Sequence, residues 1–191
     1  MKAVFLSIRP NWCKLIWSGM KTVEVRKTRP TLETPFKAYI YCTGHDGWVM
    51  KLPKAGVQKM DSRVIGEFTC DKIDRLAHVE AMGSNEPPKL QIVTPDLWYK
   101  PADELLQAAC LTEAQAKKYL KGGDGYGWHI SNLKIYDKPA KLKNFWAIQP
   151  CTHRGDCCTC RRWDAKKLIC RGEVFGIERP PQSWYYVEDG R

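Results

Sequence analysis

The apolar residues of this 191-residue chain come in short runs rich in β-branched and aromatic side chains, and glycine or proline cuts nearly every run. Such punctuation leaves room for many short strands and few helices. Residues 3–9 read as a strand, with Val4, Leu6 and Ile8 on one side and Phe5, Ser7 and Arg9 on the other. A short helix follows over 11–18. Asn11 is its cap, Trp12, Leu15 and Ile16 share a face, and Ser18-Gly19 ends it. Thr22–Arg26 alternates, which sends Val23 and Val25 to a core and Thr22, Glu24 and Arg26 to the opposite face. Further strands are expected over Phe36–Cys42, Arg63–Ile73 and Gly125–Tyr136, with Arg179–Val187 as a last extended segment closing the sheet. Residues 44–60 read as a loop-rich insertion, and 83–101, with four prolines, as an extended excursion. Thr112 caps a second helix that runs to Leu120 and stops at Gly122-Gly123. The pattern is an α+β chain: a small mixed β-barrel with flanking short helices. Periodicity alone does not choose among barrel types.

Composition narrows the function classes. At 43% hydrophobic and 11% aromatic, the chain can bury a core, which excludes disorder as its general state. No run approaches the roughly 18 apolar residues of a membrane helix, and the N-terminus lacks a signal-peptide pattern, so a cytoplasmic protein is expected. The net charge of +10 is unevenly spread. Residues 1–60 carry eleven Lys/Arg against three Asp/Glu, residues 61–125 eight against eleven, and residues 126–191 twelve against seven. Basic ends around an acidic middle point to a basic face for a polyanion.

The nine cysteines fall into two groups. Cys13, Cys42, Cys70 and Cys110 are scattered, mostly in apolar surroundings, as buried thiols are. Cys151, Cys157, Cys158, Cys160 and Cys170 crowd together. Without an export signal, the Cys157-x-x-Cys160 knuckle flanked by Cys151 and Cys170 reads as a structural zinc site of four thiolates, with His153 or Cys158 as alternates. Free or oxidised thiols in a loop are the competing reading. Arg161, Arg162 and Lys166 beside the cluster suit phosphate contacts.

The densest local pattern is Leu6-Ser7-Ile8-Arg9-Pro10, a short helix, then Gly19-Met20-Lys21-Thr22-Val23-Glu24-Val25-Arg26. A two-turn helix spans only about 12 Å, and the chain reverses at Gly19, which draws Ser7, Lys21, Glu24 and Arg26 toward one cleft. A hydroxyl, two cations and a carboxylate can bind a polar heterocycle and a phosphate, with Arg9 alongside. The plainer reading is a surface ion-pair network of little energetic weight. Trp128, close to Gly125 and Gly127, is a candidate for stacking on a base, with core packing as the alternative. His129 and His45 read as structural or surface residues. No Walker loop, dinucleotide fingerprint or Ser-His-Asp order is present.

The Gly-x-Lys-x-x-x-x-Arg core, the Gly66-Glu67-Phe68 strand and the Gly127–Leu133 segment resemble the ASCH domain family, and the Pro-Pro-Gln-Ser-Trp-Tyr-Tyr-Val tail is similar to the ending of phage-like members. The resemblance implies a PUA-like fold over residues 1–148, closed by 177–191, with 149–176 as a Cys-rich zinc-knuckle-like insertion. It implies a cleft beside the first helix and a role in binding RNA, single-stranded nucleic acid or a modified nucleotide. Family members also include a ribonuclease and amidohydrolases of acetylated cytidine, so Lys21 and Glu24 become candidate catalytic residues. In the amidohydrolase branch a threonine nucleophile stands where this chain has Glu24, with the matching lysine as its base. Here Glu24 would serve instead as a general base for water. A zinc-stabilised protein-interaction module is a third reading.

Overall fold

The structure, a computed structural model, describes residues 2–44, 47–80, 87–149, 163–164, 169–170 and 173–189. In chain order the elements are β1 (Lys2–Ile8), α1 (Pro10–Trp17), β2 (Val23–Arg26), β3 (Phe36–Cys42), β4 (Val49–Leu52) and β5 (Gly56–Lys59). Then come β6 (Arg63–Cys70), β7 (Ile73–Val79), β8 (Lys89–Val93), β9 (Tyr99–Pro101), α2 (Asp103–Ala108) and α3 (Glu113–Leu120). The chain ends through β10 (Gly125–His129), β11 (Ser131–Ala140), a 3-10 turn at Leu142–Asn144, β12 (Trp146–Gln149), β13 (Trp163–Asp164), β14 (Ile169–Cys170), β15 (Glu173–Gly176) and β16 (Trp184–Glu188). The fold is mostly strand with few helices, and none of the described helices is long and apolar enough to cross a membrane.

The chain forms two compact units, one of Met1–Pro10, Lys37–Glu67 and Ile135–Arg191, the other of Asn11–Phe36 and Phe68–Lys134. The first is built on a seven-stranded mixed sheet in the order β11-β6-β3-β1-β16-β12-β15. β1 lies inside it, parallel to β3 and antiparallel to β16, with Lys2 opposite Glu188 and Leu6 opposite Trp184. Pairing on both edges explains the uniform apolarity of Ala3–Leu6 and Ile8, all buried. Phe5 meets Phe145 edge-on at 5.3 Å, and Tyr39 meets Phe145 at 5.0 Å. Ala3, Val64, Ala147, Ile177 and Val187 complete this core.

The second unit carries the antiparallel sheet β2-β10-β7-β8-β9. Val23, Val25, Leu76, Leu90 and Ile92 of the sheet pack with Leu105 and Leu106 of α2 and Ala116 and Leu120 of α3. Gly127 lets α2 approach: a Cβ there would stand 2.8 Å from Leu105 Cδ1. Thr112 forms the expected capping box with Gln115, and Lys121 closes α3 in the left-handed conformation at φ 57°.

Several sequence expectations need correction. The first helix begins at Pro10, not after an Asn11 cap, because proline at the first helical position has no N–H to leave unsatisfied. The strand expected over Arg63–Ile73 ends at Cys70, and Ile73 opens β7. The strand expected over Gly125–Tyr136 breaks at Ile130 into β10 and β11, which join different sheets. The 44–60 insertion holds the β4–β5 hairpin, and the 83–101 excursion supplies β8 and β9.

Candidate functional site

Helix α1 ends where Ser18 and Gly19 donate their N–H groups to Lys14 O and Ile16 O, each at 3.0 Å. Gly19 takes φ 75°, a left-handed value that costs glycine nothing, and so turns the chain toward β2. Lys21 N–H then donates back to Leu15 O at 3.0 Å, and Thr22 N–H donates to Ala108 O at 2.9 Å. These bonds fix the lysine at the mouth of the strand.

The motif residues of this strand form one network. Lys21 Nζ donates to Ala109 O at 2.7 Å and lies 3.3 Å from Glu24 Oε2 and 4.9 Å above the Trp12 ring. Arg26 Nε lies 3.1 Å from Glu24 Oε1. One carboxylate therefore bridges two cations. Lys21 is only 3% exposed, and Glu24 and Arg26 are each 6% exposed. Alternation places Glu24 and Arg26 opposite the Val23/Val25 face, as the sequence indicates. That second face, however, is buried, where an exposed ion-pair network would have been open. An ion pair out of water needs good geometry and further hydrogen bonds to offset its desolvation, and the Ala109 carbonyl and the Trp12 ring contribute here.

The register extends the same face to β10. Trp128 stands opposite Glu24 and Tyr126 opposite Arg26. Trp128 is 0% exposed and meets Phe36 edge-on at 5.7 Å and 86°. It occupies a core position in this arrangement, the alternative to a stacking platform. Ser7 is buried in β1 of the first unit, with its N–H donating to Ser183 O at 3.0 Å, and Arg9 of that unit is exposed. The structure thus brings Lys21, Glu24 and Arg26 together within the second unit.

The opposite face of the same strands holds Asp74 and Lys72, which sequence reasoning passed over, beside His129, which it read as structural or surface. His129 stands opposite Val23, and Asp74 opposite Gly127. His129 Nε2 is 2.8 Å from Asp74 Oδ2, and Lys72 Nζ lies 2.9 Å from Asp74 Oδ1. Burial pushes the Asp74 carboxyl up, but hydrogen bonds from Lys72 and His129, with their charges, outweigh it and hold it below the usual carboxylate range. Asp74, His129, Lys72 and Thr22 line a cavity of about 570 Å³ with Asp103 and Glu104 of α2. A charged Asp beside an oriented His is an acid–base pair in form. The pair lies 55 positions apart in sequence, and a lone histidine gives no local sign of its partner.

The remaining candidates concern metal and phosphate. Cys151, Cys157, Cys158, Cys160, His153, Arg161, Arg162 and Lys166 lie outside the described residues. Cys170 ends β14, opposite Trp163 of β13. Among the described residues no group of three or more His, Cys, Asp or Glu is placed to hold a metal ion. Cys13, Cys42 and Cys70 are buried, and burial pushes the Cys70 thiol up to about 12, which makes it unreactive.

No protein-family model matches the sequence, and no curated protein matches it. Solved structures do. A serine-to-alanine variant of ASCH from Zymomonas mobilis matches over 98% of this chain and 89% of that chain, at 17% identity and a TM-score of 0.52. Two further structures of the same Zymomonas mobilis protein match at 19% identity and a TM-score of 0.46. ASCH itself covers 73% of this chain and 73% of its own, and a tyrosine-to-phenylalanine variant 74% and 77%. The likeness that spans nearly the whole of this chain is one of fold: two mixed or antiparallel sheets with few helices, in an ASCH-like arrangement.

Proposed function

We propose that this chain is a nucleic-acid-binding module that reads RNA, single-stranded nucleic acid or a modified nucleotide. The observation that carries the reading is the buried Lys21–Glu24–Arg26 network on an ASCH-like fold. Stability alone gives little reason to keep it, because well-packed apolar residues of similar volume usually do as well or better than a buried ion pair. Recognition gives a reason: donors and an acceptor fixed by one another and shielded from water discriminate the edge of a base more sharply than mobile surface charges do. The net charge of +10 supplies the sequence-independent attraction.

Residues 1–148 and 177–191 are assigned on this reading to the binding domain, and 149–176 to a zinc-held insertion on Cys151, Cys157, Cys160 and Cys170. Support comes from β12 and β15, which pair antiparallel from Trp146–Gly176 to Gln149–Glu173, so that the intervening chain leaves and returns at neighbouring strands. Four thiolates leave no open position for water, so the zinc would be structural. Elemental analysis of protein expressed with ample zinc is expected to give one equivalent. Less than a tenth removes the zinc.

The test of the main reading is titration of the full chain with RNA, single-stranded DNA and duplex DNA at two salt concentrations. Wild type is expected to bind the single strands with a steep salt dependence. Lys21→Met, which keeps the stem and removes the charge, is expected to change the preference among nucleotides more than the overall affinity. Absence of binding to all three ligands at low salt would reject the reading. The Asp74–His129 pair in its cavity favours a second, catalytic reading, hydrolysis of RNA or of an acylated nucleoside. Turnover lost in His129→Gln with binding retained would establish it, and absence of turnover in wild type would remove it.

A further inference from the structure

The first unit has a groove of about 760 Å³ whose chemistry the motif does not account for. Its lining includes Arg63, Lys141, Lys143 and Arg179 together with the aromatic residues Trp146, Phe175 and Tyr185. Glu178 is the only carboxylate among its described lining residues.

Trp146 is held open by the strand pairing. Trp146 begins β12 and stands directly opposite Gly176, the last residue of β15. A tryptophan opposite a glycine has no cross-strand side chain to cover it. Trp146 Cζ3 lies 3.9 Å from where a Cβ on Gly176 would stand, so the indole lies along the glycine backbone. It remains 53% exposed, and Phe175 36%. Two rings left in water inside a groove forgo burial energy that a ligand can recover.

The cations are also uncommitted. Some lysines elsewhere pair with carboxylates: Lys37 with Asp189, Lys54 with Asp137, Lys72 with Asp74 and Lys117 with Glu113. Among the described residues, none of the four groove cations has a carboxylate within 4.0 Å. Arg63 donates instead to Ser62 O at 2.9 Å. Four cations in a groove with little acid repel one another, and a polyanion relieves that repulsion.

We propose that this groove seats single-stranded nucleic acid, with phosphates against Lys141, Lys143, Arg63 and Arg179 and an unstacked base on Trp146. The inference rests on the nucleic-acid reading above and adds to it a surface in the first unit, where the motif cluster belongs to the second. Cations together with exposed aromatic side chains in one groove match a chain that carries both phosphate and planar base. A duplex offers the phosphates but keeps its base faces stacked, and an acidic peptide offers charge without the planar rings.

The experiment is fluorescence anisotropy of the full chain with a short oligouridine RNA, the equivalent single-stranded DNA, a duplex, polyglutamate and heparin, at several salt concentrations. Trp146→Ala is expected to weaken single-strand binding by about 5-fold or more, the lower end of what one base–aromatic stack contributes. Trp146→Phe should restore most of it. Lys141→Ala with Lys143→Ala should lower the slope of log affinity against log salt by about 1.4, roughly 0.7 for each phosphate left without its cation. Lys141, Lys143 and Trp146 are all exposed, so their replacement leaves the core intact, and unchanged thermal melts would confirm that the variants fold. If wild type binds single strands and these variants bind equally well, the groove is overturned while the nucleic-acid reading stands. If wild type binds nothing, both fall. If polyglutamate or heparin binds as tightly as RNA, and Trp146→Ala affects neither, the occupant is an acidic chain and the proposal is wrong.

Discussion

In the second unit the charges of the motif turn inward: Lys21, Glu24 and Arg26 are 3–6% exposed and grip one another. In the first unit Lys141, Lys143 and Arg179 stand in solvent around exposed rings, without a carboxylate partner among the described residues. Composition runs the same way, with eighteen Lys/Arg against ten Asp/Glu in the first unit and thirteen against eleven in the second. A buried charge must be paired, so its geometry is fixed and its removal is costly. An exposed, unpaired cation costs the fold little and remains available to a ligand. The same residue types are therefore held in a fixed, mutually paired geometry in one unit and left open to solvent in the other.

The comparison predicts graded losses of stability. Glu24→Ala leaves two buried cations without their carboxylate and is expected to cost about 3–5 kcal/mol in urea denaturation. Glu24→Leu combined with Lys21→Met and Arg26→Met should recover much of that, since replacing the whole network removes the charges along with their desolvation. A loss under about 1 kcal/mol for Glu24→Ala would break the contrast between the units. Gly127→Ala comes next, at about 1–3 kcal/mol, because the new Cβ would meet the buried Leu105 at 2.8 Å. A melting curve unchanged from wild type would show that α2 shifts freely.

Two smaller effects sharpen the picture. The carboxyl of Asp74 is held below its ordinary value, so its folded state binds protons less readily than the unfolded chain. Its contribution is therefore present above the unfolded carboxylate pKa of about 3.9 and is lost as pH falls through the lower folded value. Asp74→Asn should remove that acid-side dependence, seen as a flatter curve of stability against pH. An unaltered curve would mean that the pair with His129 and Lys72 is energetically idle. The smallest effect is expected at Lys54→Ala. Lys54 and Asp137 are 3.1 Å apart with side chains 79% and 58% exposed, and a pair so wet contributes less than about 1 kcal/mol.

Local signals carried the parts of the fold that local physics decides. Thr112 and Gln115 announce their capping box three residues apart, and Ser18-Gly19 announces the end of α1. β3 is legible over its whole length because Phe36–Cys42 is apolar at every position but Lys37. α2 escapes because six residues are too few for a helical period, and its Asp103 and Glu104 read as loop. β7 escapes because Asp74, Arg75 and His78 break its alternation, yet Asp74 and Arg75 find Lys72, His129 and Asp124 in the folded chain.

The sequence by itself determined that Lys21, Glu24 and Arg26 stand at one strand's mouth and face, that β-branched runs dominate, and that cations outnumber carboxylates. These follow from spacing and composition, which act within a few residues. Only the tertiary structure decided that the Glu24 face is buried. Period-two alternation assigns a residue to a side of a strand and says nothing of what covers that side. It also decided that Trp128 sits in a core while Trp146 lies open. The difference comes from Phe36, 92 positions away from Trp128, and from Gly176, 30 positions beyond Trp146. Contacts at such separations are set by which strands pair and in what register, and no short window of sequence contains that information.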